Sequence, residues 1–152
     1  MQHGRNTFLK GRELIARAVD YSSQVLAHLD SQSAESSTTR VGMLLDSFTS
    51  EQRALKDNLE RYAIDASDEV LDTYVQYSIA LPDPLPEPER ALSPEEATRW
   101  LLEVKANLET FFSEVAEKAE PGEMREAFAN LAESVRASDI RISKESNRMQ
   151  DL

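Results

Sequence analysis

Apolar residues recur at steps of three and four along four long stretches of the chain, which is the spacing of an amphipathic helix. The pattern predicts helices over about 7–31, 39–63, 93–120 and 122–146. The apolar stripes are Ile15, Ala18, Ser22, Val25 and Leu29; Val41, Leu44, Phe48, Leu55 and Tyr62; Leu101, Val104, Leu108, Phe111 and Val115; and Met124, Phe128, Leu131 and Val135. Each apolar stripe can be buried only against the stripes of the other helices, so four such stripes indicate a helical bundle.

The third helix carries the clearest boundary signals. Ser93 is followed by Pro94 and, three residues after it, by Glu96, which is the sequence of an N-terminal capping box with proline in the first turn. Pro121 and Gly122 follow the apolar stripe and predict the end of this helix and a tight connection to the fourth.

The middle of the chain predicts a short extra helix and a crossover. Ser67 is a plausible cap, and Val70, Leu71, Tyr74 and Tyr77 give residues 67–80 an amphipathic face. The segment 81–92 contains alternating prolines, which exclude a helix and favour extended chain. Because neither half alone resembles a complete fold, this segment is a crossover within one domain.

The fold class expected from these elements is all-α. The first and third connections are short, and 31–40 is a polar loop, so each pair of helices forms an antiparallel hairpin. We therefore expect a single domain over 1–152, a ferritin-like four-helix bundle with one long crossover. Its parts are a hairpin at 7–63, an extra helix at 67–80, a crossover at 81–92 and a hairpin at 93–146.

Composition excludes several functions. A net charge of −11 argues against nucleic acid or an anionic membrane as a partner, because both repel an acidic surface. The chain has no cysteine, so disulfides, thiolate metal sites and cysteine nucleophiles are absent. It has no run of about 20 apolar residues and no apolar signal-peptide run, which makes the cytoplasm the expected location.

Lys105 is the residue in the third helix that needs an explanation. It borders the apolar stripe one turn after Leu101, and an unpaired buried charge is expensive. One interpretation, which the pattern favours, is that its stem lies on the seam and its ammonium reaches water. The other is that Lys105 is buried and pairs with Glu51 or hydrogen-bonds to Gln52, two polar residues in the stripe of the second helix.

Three segments carry a resemblance to a known family. The third helix contains FFSEVA at 111–116, the fourth contains FANLAE at 128–133, and the second repeats the pattern loosely at 43–51. In order and spacing these resemble the rubrerythrin-type, ferritin-like di-iron proteins, over about residues 10–145. The resemblance implies four inward-facing helices that once shared a metal site.

By this resemblance, the family's ligand positions are occupied here by residues that do not hold iron. The third-helix Glu falls on Lys105, the Glu-x-x-His of the fourth helix falls on Val135 and Ser138, and the first-helix Glu falls near Ser22. The second-helix pair falls on Gln52 and Leu55, or on Glu51 and Ala54 if the register slips by one. The chain contains no Glu-x-x-His. We therefore expect a vestigial site with no metal and no cofactor.

The expected function is a non-catalytic interaction or structural protein that forms a homodimer or binds a partner by helix packing. One alternative is a divergent di-iron oxidoreductase that draws ligands from Glu51, Glu103, Glu109 and Glu133, although helical spacing puts the last three off the inward stripes. A second alternative is a small ligand in the vacated cavity lined by Ser22, Gln52, Lys105 and Ser138.

The remaining candidates have simpler interpretations. His28 lies one position off its stripe and is expected to be solvated or interfacial rather than a ligand. Trp100 lies beside the stripe of the third helix, so it covers the extra helix or faces a second subunit. The aromatic residues expected in the core are Tyr62, Tyr74, Tyr77, Trp100, Phe111 and Phe112.

Overall fold

The computed structural model describes residues 7–35, 39–77 and 92–150, and of these the side chains of 7, 33–35, 39–40, 77 and 139–150 are not described. Within these ranges the protein is predominantly helical, which confirms the all-α class. The elements are β1 (Thr7–Lys10), α1 (Gly11–Glu35), α2 (Thr39–Asp65), α3 (Asp68–Leu71), β2 (Tyr74–Tyr77), α4 (Pro94–Lys118) and α5 (Glu123–Gln150). No helix in these ranges combines the length and apolarity needed to cross a membrane.

The four long predicted helices are present with shifted ends. The first begins at Gly11 rather than Thr7 and continues to Glu35, so the start of the predicted 31–40 loop is helical. The capping box of α4 is confirmed, since the Ser93 hydroxyl accepts from the Glu96 N–H and the Glu96 carboxylate accepts from the Ser93 N–H. Gly122, in the turn before α5, has a φ of 146°, a conformation that favours glycine.

The prediction that residues 7–10 are helical is wrong. They form β1, which pairs antiparallel with β2 and places Leu9 opposite Val75. Both of these side chains are buried, whereas Phe8 is 62% exposed and Tyr74 is 59% exposed. Alternating burial is typical of a half-buried strand. Four residues are too few to distinguish this alternation from one face of a helix, which is why the sequence predicted a helix here.

The predicted extra helix over 67–80 is also wrong in length. Its cap is correct, because the Ser67 hydroxyl accepts from the Val70 N–H, but the helix ends at Leu71. The Thr73 carbonyl then accepts from the N–H of Gly11, so this connection is tied to the start of α1 and β2 follows. The remainder of the predicted helix at 78–80, and the crossover except Leu92, lie outside the described residues.

Two contacts show that α4 runs antiparallel to α1. Near the end of α1, the Gln32 amide oxygen accepts from the N–H of Leu92, which lies just before α4. Near the middle of both helices, Asn107 donates to the Tyr21 hydroxyl at 3.1 Å. Helix α4 therefore begins at the end of the bundle where α1 ends, opposite the β1–β2 ribbon.

Helix α4 runs parallel to α2 and antiparallel to α5. Phe48 meets Trp100 edge to face, and three residues further along α2 Glu51 reaches Lys105. On the other side, Phe112 packs on Phe128 near the α4–α5 turn. Helix α4 thus touches α1, α2 and α5.

The aromatic predictions are partly confirmed. Phe111, Phe112 and Trp100 are buried, and Trp100 packs against α1 and α2 rather than the extra helix or a second subunit. His28 is half-buried beside the Trp100 ring, which is compatible with the expectation that it is solvated or interfacial. Tyr74 points outward on the ribbon instead of into the core.

Candidate functional site

The middle of the bundle contains a layer of buried polar side chains. Among the residues whose burial is described, these are Ser22, Gln32, Thr49, Gln52, Lys105 and Ser138. Gln32 and Thr49 satisfy main-chain groups, since Gln32 accepts from Leu92 and Thr49 donates to the Leu45 carbonyl. The other four lie one on each long helix, and we call them, together with Glu51, the central polar layer.

Lys105 lies at the centre of this layer and is 2% exposed. Its ammonium nitrogen is 2.8 Å from Glu51 Oε2 and also donates to the Ser138 hydroxyl, which in turn donates to Glu51 Oε2. The ring of Phe48 covers the ammonium at 5.3 Å from its centroid. The favoured interpretation, a stem on the seam with the charge in water, is therefore wrong, and pairing with Glu51 is confirmed.

The burial of this ion pair is unequal. Glu51 is 17% exposed and borders solvent, whereas Lys105 has almost no access to water. Desolvation of the ammonium is offset by the carboxylate, the hydroxyl and the aromatic ring, each of which favours a positive charge. Because these groups come from α2 and α5, the triad of Lys105, Glu51 and Ser138 ties three helices together.

Ser22 and Gln52 complete the layer from α1 and α2. The hydrogen bond between Tyr21 and Asn107 sets the middle of α1 beside residues 105–107. Ser22 is fully buried, Gln52 is 3% exposed, and neither the Ser22 hydroxyl oxygen nor the Gln52 amide oxygen has a hydrogen-bond partner among the described residues. Buried acceptors without partners are unusual, because each loses its contact with water.

The structure places the positions named from the family resemblance as follows. Ser22, Gln52, Lys105 and Ser138 are buried polar residues, and Leu55 and Val135 are buried apolar residues at 9% and 6% exposure. Glu51 is in contact with two of them, while Ala54, its partner in the shifted register, is exposed.

The carboxylates of the alternative di-iron set are not brought together with Glu51. Glu109 and Glu133 both bind Arg136 on the outer surface of α4 and α5, at 3.1 and 2.6 Å, and Glu103 is exposed on α4. Within the part of the chain that the structure describes, no three His, Asp or Glu residues are close enough to hold a metal ion.

A groove between α2 and α5 opens onto the central polar layer. It includes Gln52, Lys105 and Ser138, three of the four residues named for the small-ligand alternative, whereas its outer walls were not predicted. Its volume is about 520 Å³. It is lined by Ser50, Glu51, Gln52, Ala54, Leu55, Asn58, Lys105, Ala127, Asn130, Leu131, Ser134, Val135 and Ser138. The small residues Ser50, Ala54 and Asn58, at steps of four on α2, were the available signal, because small side chains leave space between helices.

A second groove lies on the opposite side, between α1 and α2, and we call its lining the α1–α2 face. It is shallow, with a volume of about 510 Å³, and is lined by Arg12, Ile15, Ala16, Val19, Asp20, Ser23, Glu60, Ala63 and Ile64. Ile64 is 80% exposed at its border. Arg12 is held there by Asp68 and Asp72, at 3.1 and 3.3 Å.

Tyr21 is the buried group in α1 that titrates near the central polar layer. Burial raises the pKa of Tyr21, the hydrogen bond from Asn107 lowers it in part, and the charge of Glu103 raises it further. The net pKa lies above the ordinary tyrosine value, so the folded protein favours the neutral phenol.

Comparisons of the chain with protein-family models, with curated proteins and with solved structures found no match.

We predict unequal effects of removing the two charges of the central pair. Glu51→Gln leaves the ammonium of Lys105 buried without a counter-ion, so the free energy of unfolding should fall by about 3 kcal/mol. Lys105→Met removes the more deeply buried charge and leaves Glu51, whose side chain is 17% exposed, so the free energy of unfolding should fall by less, about 1–2 kcal/mol. Urea unfolding monitored by circular dichroism measures both values.

Glu109→Gln is the matched control, because it removes the charge from a surface pair with Arg136 and should change stability by less than about 1 kcal/mol. Equal losses for Glu51→Gln and Lys105→Met, or a larger loss for Lys105→Met, would contradict the unequal burial of the two charges.

We also predict that Tyr21 makes stability fall at alkaline pH. Unfolded tyrosine ionises near pH 10, and because the folded pKa of Tyr21 is higher, the folded state holds more protons above that pH. The contribution is therefore fully present below about pH 9 and is lost as pH rises through the folded pKa. Urea unfolding of wild type and Tyr21→Phe at about pH 8 and pH 11 tests this.

The Phe variant should lose less stability than wild type between these two pH values. Tyr62, whose pKa is also raised by burial, is present in both proteins and cancels. A difference between the two proteins that does not change with pH would contradict the prediction.

Proposed function

We propose that the protein is a non-catalytic helical bundle of the ferritin-like type that acts by packing against a second copy of itself. Two observations support the ferritin-like arrangement. Helix α4 is antiparallel to α1 and parallel to α2, which is the order of directions produced by one long crossover. Each long helix also contributes a polar residue to the middle of the bundle, at the level where ferritin-like proteins bind metal.

The absence of catalysis is inferred from the chemistry of that layer. A di-iron site needs carboxylates and imidazoles from all four helices, and its cations are repelled by a nearby ammonium. Here the central group is the cation Lys105, and its charge is already compensated by Glu51. The layer therefore stabilises the bundle and presents no reactive pair to a substrate.

The observation that carries the interaction function is the exposure of Ile64 beside the α1–α2 face. An isoleucine that is 80% exposed next to a groove gains about 1.5–3 kcal/mol when it is fully buried. Ala16 and Ala63 border the same groove, and their small side chains allow a helix to approach closely. These features suit the packing of one helix pair against another.

A second copy of the chain is the occupant that the charges of this face favour. The face carries Arg12 at one end and the acidic residues Asp20 and Glu60 along its length. In a two-fold symmetric contact each patch meets its own copy in reverse order, so Arg12, which Asp68 and Asp72 hold in its own chain, can also approach Asp20 or Glu60 of the second copy. The helix of another protein is the alternative occupant.

We predict that the purified protein runs as a dimer, with a mass twice 17.1 kDa by light scattering. Ile64→Asp should weaken the dimer. A symmetric dimer loses two apolar contacts through this substitution, so its dissociation constant should rise by about 100-fold or more. Met43→Asp is the control, since Met43 is 67% exposed in the first turns of α2, far from Ile64.

A wild-type protein that stays monomeric at about 100 μM would exclude the second copy as the occupant. A dimer that is unaffected by Ile64→Asp would exclude the α1–α2 face.

We further predict that the protein retains no stoichiometric metal. After incubation with Fe²⁺, Mn²⁺ or Zn²⁺ and desalting, elemental analysis should find only trace metal, because Lys105 repels cations at the centre of the bundle. Two iron atoms per chain, together with an absorption band of an oxo-bridged pair, would instead favour the di-iron alternative.

A further inference from the structure

The outer side of the β1–β2 ribbon is a second exposed apolar surface, and it lies at the same end of the bundle as Ile64. Phe8 and Tyr74 are 62% and 59% exposed there. Ile64 lines the same groove as Arg12, which follows β1 by two residues. Among the described residues, three of the four large apolar side chains that are exposed therefore lie at this end, and only Met43 does not.

The ribbon and the α1–α2 face are continuous through Arg12. This arginine lines the α1–α2 face and lies two residues after Lys10 in β1. Its guanidinium contacts Asp72, which lies two residues before Tyr74 in β2. The ammonium of Lys10 lies 5.7 Å from the centre of the Tyr74 ring on the outer side of the ribbon. Both strands therefore adjoin the border of the α1–α2 face.

The α1–α2 face is too small to hold a dimer by itself. Nine residues line it, whereas a stable interface takes about 20 or more residues from each partner. A dimer formed on this face must therefore also cover a neighbouring surface. The outer side of the ribbon is continuous with the face, and buried aromatic side chains supply about 150–250 Å² each, so Phe8 and Tyr74 provide much of the missing area.

The charges of the two surfaces are complementary. Among the described residues, Lys10 forms no ion pair with a carboxylate, and Asp20, on the part of the α1–α2 face away from the ribbon, forms none with a basic residue. Ile15 lies midway between them in sequence and lines the face. A two-fold axis at the level of Ile15 therefore brings Lys10 of each copy towards Asp20 of the other.

We propose that the outer side of the ribbon is the second half of the dimer interface. Phe8 and Tyr74 of each copy cover the α1–α2 face of the other, and Lys10 pairs with Asp20 across the contact. This inference rests on the proposed dimer. It assigns an interaction role to a ribbon whose inner side closes the end of the core.

Substitutions on the outer side of the ribbon test the apolar contact. Phe8→Thr and Tyr74→Thr remove the rings and keep a residue suited to a strand. Each should raise the dissociation constant of the dimer by about tenfold or more, because a symmetric dimer loses the contact twice. Light scattering over a dilution series measures this constant. Met43→Thr is the matched control, since Met43 is 67% exposed in the first turns of α2, and it should leave the constant unchanged.

An exchange of charges tests the pairing of Lys10 with Asp20. Lys10→Glu and Asp20→Lys should each weaken the dimer, because each places two like charges together. The double variant should restore most of the affinity, since the pair forms again with its signs reversed. Arg99→Glu makes the same change in net charge as Lys10→Glu at an exposed position of α4, and it should leave the dimer intact.

The outcomes separate this inference from the proposed function. A wild-type protein that is monomeric overturns both. A dimer that Ile64→Asp disrupts but that keeps its affinity in Phe8→Thr and Tyr74→Thr overturns the role of the ribbon alone. A double charge variant that binds no more tightly than its two single variants shows that Lys10 does not meet Asp20, and it overturns the proposed arrangement of the two copies.

Discussion

The ammonium of Lys105 is the constraint on which the centre of the bundle depends. A buried cation cannot remain without a counter-ion, so the position of α4 requires that Glu51 of α2 and Ser138 of α5 meet it. Apolar contacts alone tolerate sliding of one helix along another, since one leucine replaces the next. A three-way hydrogen-bonded contact does not, so the triad sets the relative height of α2, α4 and α5.

The sequence predicted the long helices well because their apolar stripes are long and regular, as the capping box at Ser93 illustrates. The two strands were missed because four residues are too few to separate a period of two from a helical face. Their stability also comes from a pairing between Leu9 and Val75 that is distant in sequence. Local propensity contains no information about such a partner.

The errors about the burial of Lys105 and about the packing partners of Trp100 have one shared cause. Both residues border the apolar stripe of α4, and a border residue is exposed or buried according to how many neighbours the helix has. Helix α4 touches α1, α2 and α5, so its buried face is wide enough to include both side chains. The sequence identified Lys105 as unusual, but only the packing could decide between water and Glu51.

Lys105, Glu51 and Ser138 line the α2–α5 groove and also form the centre of the core, so the stability of the bundle and the shape of the groove are linked. The bond between Ser138 and Glu51 is a tie across the two helices that line the groove, and Glu51 is the member of the triad nearest to solvent. Opening this bond would remove one partner from the buried ammonium of Lys105, which would cost stability.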